Sequence, residues 1–296
     1  MRKNAGIFAA LALVGAAVGL CLRVVEVNTL LDRSSMLMEF SPLSVILMVL
    51  LAAVAVGFVL LAKSWDVPRF PQRYGPVFRG VGMVTVSVVC CAAMLVGAYL
   101  SLRRWQDSGR VFSAVLALLA VLSGFGWLSL SLDAQRKKPN GCTLLAAAMP
   151  TVFCALLLVG YYKTYAPIPA VRYTMYPFLA LCADLLGVHY LAGFTAPRLR
   201  PRTALAFCGV GFVLSIAALP SVDEPEIRIY LAVFAVQLFA HGLRLLLPRE
   251  YDEADFAAAT AEAPDVETYE VEAPEAAPVE PTSDGADAEN PDAPEA

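Results

Sequence analysis

The groups in this chain with the greatest chemical reach lie inside or beside long apolar runs. Asp184 is the one acid well within such a run, Pro177–Phe194. An ionisable group in hydrocarbon is costly, so it is the default place to look for a proton- or cation-binding function. Counting from Pro177, it lies about seven residues or ~10 Å deep. Ala180 and Gly187 share its side of a helix and are small enough to admit a second backbone, so Asp184 is expected to face protein. The competing reading is a buried carboxylate that is hydrogen-bonded across helices and only locks a bundle.

His189 follows five residues later, about 140° around a helix, and is not expected to share the face of Asp184. Gln237, His241 and Arg244 recur at helical spacing and line one side of the last run. Gln237 and His241 lie at depths similar to Asp184 and His189, so a polar ladder between the two helices is geometrically allowed. The plainer reading has Arg244 snorkelling to the interface and His241 packed as a satisfied core residue.

A third set follows the fifth run, where Tyr161-Tyr162-Lys163-Thr164-Tyr165 leads through two prolines to Arg172, Tyr173 and Tyr176. Lys163, Tyr165, Arg172 and Tyr173 could form an outer mouth for an anionic or aromatic ligand. Tyrosines in such a place read first as an aromatic belt at the membrane interface. On the opposite side, Lys63–Gly80 carries Trp65, Phe70, Tyr74 and Phe78 and reads first as a contact with lipid headgroups.

The elements that must hold these groups are eight apolar runs, at 4–22, 42–62, 81–101, 111–132, 143–160, 177–194, 203–220 and 229–247. A helix of roughly 20 apolar residues crosses a hydrocarbon core of about 30 Å, and a hydrophobic content of 58% agrees with lipid as the solvent. The fold class is therefore all-α, a polytopic integral membrane helix bundle with about eight transmembrane helices. The basic start Met1-Arg2-Lys3 is read as the flank of an uncleaved first helix rather than an export signal. Gly15 and Gly19 suit a close helix crossing, and Pro150 should kink or break the fifth helix. A shift of 118 residues lays Arg110–Val115 over Arg228–Val233, which would make the bundle two parallel halves of four spans.

Charge divides the chain sharply. Residues 1–249 carry 22 basic and 10 acidic side chains, and residues 250–296 carry 16 acidic and none basic. The acidic segment, rich in Ala, Pro and Glu, cannot bury enough apolar surface to fold and is expected to be a disordered tail. It is a solvated extension first, and a ligand for a basic protein partner second. If the N-terminus is cytoplasmic, 14 basic side chains fall on the cytoplasmic side and eight outside, which places both termini in the cytoplasm. Arg103, Arg104 and Arg110 in one outer loop dissent from that count. The expected location is a plasma membrane, of the bacterial inner-membrane kind.

Function is bounded mainly by what the chain lacks. Its seven cysteines sit in or beside spans without metal-ligand spacing and read as packing residues. There is no phosphate-binding loop, zinc-protease motif or nucleophile elbow. No cofactor, metal or nucleic acid is expected, and the lipid bilayer is the expected surround. The favoured reading is a non-enzymatic membrane scaffold or accessory component. The alternative is a small-molecule or ion transporter using Asp184 and the polar face of the last helix, for which a polar cavity reaching Asp184 would be the telling feature.

Overall fold

A computed structural model describes residues 2–32, 37–38, 41–65, 67, 77–136, 142–165, 171–195 and 200–247. The acidic segment 250–296, with its expected disorder, lies outside the described residues, as do Phe70 and Tyr74. Eight helices account for nearly all of the rest: α1 (Arg2–Leu30), α2 (Pro42–Ser64), α3 (Val81–Ser108), α4 (Val111–Arg136), α5 (Thr143–Tyr165), α6 (Val171–Ala192), α7 (Pro201–Ala218) and α8 (Pro225–Leu246). All eight are long and apolar enough to cross a membrane. Leu31–Asp32 pairs antiparallel with Leu37–Met38 in a two-residue ladder after α1. The chain is a polytopic membrane helix bundle.

Local chemistry sets the helix ends. Ser41 caps α2 by accepting from the Leu43 amide at 3.3 Å, with Pro42 in the first turn, where its missing N–H costs nothing. Proline also opens α7 and α8. Gly109, at φ 67°, ends α3 in the left-handed conformation and returns its amide to the Trp105 carbonyl at 2.8 Å.

The helices pack in a circuit α3–α4–α5–α6–α7–α8 that closes back on α3, with α1 and α2 laid against α7. α7 and α8 are the most enclosed of the eight. Elsewhere large apolar side chains such as Val49, Leu60, Leu118 and Leu144 are exposed around the bundle, as a hydrocarbon surround allows. The four-plus-four arrangement suggested by the 118-residue shift does not appear in the packing. α8 meets α3, α7, α1 and α6, whereas α4, its counterpart under the shift, packs mainly on α3 and α5.

Small residues bring backbones together. Gly15 and Gly19 face α2 and α7, where added β carbons would meet Val54 at 3.1 Å and Ala217 at 3.3 Å. α5 runs through Pro150 without a break. Proline has no N–H for the Ala146 carbonyl one turn earlier, and α4 comes in at that point. A β carbon on Gly126 would stand 2.5 Å from the Ala146 oxygen, so only glycine lets the helices meet there.

Candidate functional site

The polar groups that could form a site lie in two regions, the bundle interior and the end opposite the N-terminus, here the far end. In the interior, Asp184 on α6 is fully buried, and one carboxylate oxygen accepts from the Ser215 hydroxyl of α7 at 2.7 Å. The other oxygen lies by Gly211, where a β carbon would come within 2.9 Å of it. Ala180 and Gly187 are buried on the same side, in keeping with the expectation that Asp184 faces protein.

The remaining interior candidates do not join it. His189 is exposed and stacks edge-on against Tyr190 at 5.5 Å. Gln237 and His241 are fully buried, but Leu238, one residue on from Gln237, is the side chain of α8 that reaches Gly187 and Gly211. His241 instead sits between Phe78 and Trp127, with ring centroids at 5.1 and 5.0 Å, and its Nδ1 lies 2.7 Å from the Gln237 carbonyl. Arg244 donates to the Arg79 carbonyl at 2.6 Å. The stripe on α8 therefore turns toward α3 and α4, and no ladder to Asp184 forms. Phe78 and Trp65, read first as headgroup contacts, are buried in protein.

The far end is denser. Arg23 of α1, wholly buried, donates to Glu26 at 2.6 Å, to the Ser221 hydroxyl at 2.6 Å and to the Tyr173 carbonyl at 3.1 Å. Its guanidinium also lies 4.3 Å from the centre of the Tyr176 ring. Glu26 in turn accepts from Ser44 at the start of α2, at 2.5 Å. A second cluster joins α3 to the start of α8, where Arg104 donates to Glu226 at 2.5 Å and to Glu224 at 3.2 Å. The Tyr165 hydroxyl donates to Glu224 from α5, and Tyr173 donates to Asp223 at 2.9 Å.

Four of the tyrosines read first as an interfacial belt are thus buried in protein: Tyr161, Tyr165, Tyr173 and Tyr176. Tyr165 and Tyr173 turn inward because carboxylates accept their hydroxyls, whereas Tyr162 stays exposed as a belt residue would. Nor do the four proposed mouth residues form one mouth. Lys163 and Tyr165 border a cavity of about 400 Å³ among α3, α4, α5 and α8. Tyr173 borders another of about 530 Å³, shared with Asn28, Asp223 and Arg228. The side chain of Arg172 lies outside the described residues.

Sequence reasoning passed over Arg23, Glu26, Arg104, Glu224 and Glu226. The signals were present as Arg23 and Glu26 three apart, and as Asp223-Glu224-Pro225-Glu226 at a helix start, where acids suit the dipole. Nor is Asp184 the only buried acid, because Glu26 lies within the continuation of α1. Arg104, one of the dissenting charges in the topology count, is neutralised by two glutamates.

Among the described residues no three His, Cys, Asp or Glu side chains gather as an ion site, and all seven cysteines are free. No protein-family profile, curated protein or solved structure matches the chain.

Proposed function

We propose that this chain is a non-enzymatic membrane component that organises partners through its packed helices, with Asp184 locking α6 to α7. The observation that carries this reading is the enclosure of Asp184. It is fully buried, bonded to Ser215 and pressed against Gly211, and neither of the two far-end cavities is bordered by it. A transport carboxylate must meet water from each side in turn, whereas a lock need only meet a neighbouring helix.

Two substitutions test it. Asp184→Asn keeps the shape and an acceptor for Ser215, while Asp184→Leu removes the polar partner and strands a buried hydroxyl at about 1–3 kcal/mol. Folded yield in mild detergent should survive Asn and fall with Leu, and proteoliposomes of wild type and Asn should hold proton and sodium gradients equally well. A wild type that dissipates a gradient, with Asn abolishing the flux at full yield, would turn the reading to a transporter.

In the same reading the chain lies in a bacterial plasma membrane with both termini cytoplasmic, and the acidic segment 250–296 extends toward a basic protein partner. The 14 to eight division of basic side chains supports that orientation. Topology reporters fused at residue 249 and between Lys163 and Arg172 should then give opposite signals, and same-side signals would reject it.

A further inference from the structure

The 400 Å³ cavity is closed along its walls by specific contacts. Arg104–Glu226 and Ser101···Tyr230, the latter at 2.9 Å, seal α3 to α8, and Tyr165–Glu224 ties α5 to α8. Between α4 and α5 the Phe112 ring lies so close to Gly160 that a β carbon there would stand 2.2 Å from it. α3 and α4 are joined directly through the turn at Gly109. These contacts tie the surrounding helices together around a cup, and the exposed polar residues of its lining, Arg110, Lys163 and Thr164, sit at the far end.

Of the ionised side chains that line the cup, three are cations and two are acids. Its two carboxylates, Glu224 and Glu226, are held by Arg104. Arg110 and Lys163, both exposed, have no ion pair among the described residues. Tyr161 also lines the cup; the residue is 2% exposed, and its buried hydroxyl has no hydrogen-bond partner among the described residues. A buried hydroxyl without a partner is costly, so a cavity-lining residue that carries one stands to gain from turning it to an occupant. Leu116 and Leu157 add apolar wall below the cations.

From this geometry we infer that the cup binds a small water-soluble organic oxyanion, a carboxylate or phosphate ester on a compact apolar body. Arg110 and Lys163 hold the anion at the rim, and the Tyr161 hydroxyl donates to it from the wall. The site is separate from Asp184 and does not depend on its role.

The test uses the full chain in phosphatidylcholine nanodiscs, titrated calorimetrically with benzoate and phenyl phosphate, and with benzyl alcohol as the neutral control. At least one of the two anions should bind saturably at one per chain, and benzyl alcohol should not. The Arg110→Gln/Lys163→Gln double variant, altered only at exposed positions, should lose affinity about tenfold or more. Tyr161→Phe should lose several-fold, and Asp184→Asn should bind as wild type. Failure of both anions to bind would overturn the inference, as would binding that survives the double variant. So would loss of binding when phosphatidylglycerol replaces phosphatidylcholine, which would make a lipid headgroup the occupant.

Discussion

The interior and the far end hold polar groups on different terms. In the interior each is accommodated singly: Asp184 by one serine hydroxyl, His241 by a backbone carbonyl and two aromatic rings. At the far end charges meet opposite charges, Arg23 on Glu26 one turn along α1 and Arg104 on Glu224 and Glu226 across from α3 to the start of α8. Depth in the membrane therefore does not by itself mark a site. On the proposed reading an isolated carboxylate with one neutral partner serves packing, and the charged cluster around a cavity is the place for a ligand.

The contrast is sharpest at Arg23. Arg23→Met leaves Glu26 buried with the Ser44 hydroxyl as its remaining hydrogen-bond donor among the described residues, and breaking such a buried pair costs about 3–5 kcal/mol. A large fall in thermal stability in detergent is expected, partly restored by Glu26→Gln in the same chain. An unchanged melting temperature would erase the distinction between the two regions. Glu226→Gln should cost less than about 1 kcal/mol, since the Arg104 side chain is 40% exposed and water screens the pair. Stability in 0.1 and 1 M salt checks this, because a screened pair loses most of its worth in salt. Truncation after Arg249 should have the smallest effect. A segment so acidic and so poor in apolar side chains adds no core, and a melting temperature more than a few degrees lower would contradict that.

Hydropathy read the spans well because hydrocarbon enforces length. The starts at residues 42, 81, 111 and 143 coincide with those of α2, α3, α4 and α5. The misses lie mainly at the far end, where α1 runs on to Leu30, α3 to Ser108 and α5 to Tyr165, and where α6 and α8 begin before their apolar runs. An apolar window stops at a charge. Arg104 and Glu226 continue or begin helices because each is neutralised by a residue far away in sequence, while Arg23 and Glu26 pair within one turn and are completed by Ser221, Tyr173 and Ser44 from other elements, and a local window sees none of these distant partners. The same blindness affected the site. The spacing around Asp184 correctly indicated a protein-facing side chain, but which way Gln237 turns depends on where α3 and α4 pack. Tyr161 and Tyr165 read as belt residues because their apolar bodies and polar tips suit an interface, and only the position of Glu224 draws Tyr165 inward.

The arginine at the end of α1 also bears on the order in which the protein is made. Ser221 follows Arg23 by 198 residues and Tyr173 by 150, so most of the chain must leave the ribosome before the guanidinium has these partners. Until then α1 carries a half-satisfied charge near a membrane boundary, where it can stay with water and headgroups. α6 and the turn after α7 thus close a clasp that the first helix has held open. A nascent chain stopped before Ser221 is a natural substrate for membrane quality control, even with six or seven spans already inserted.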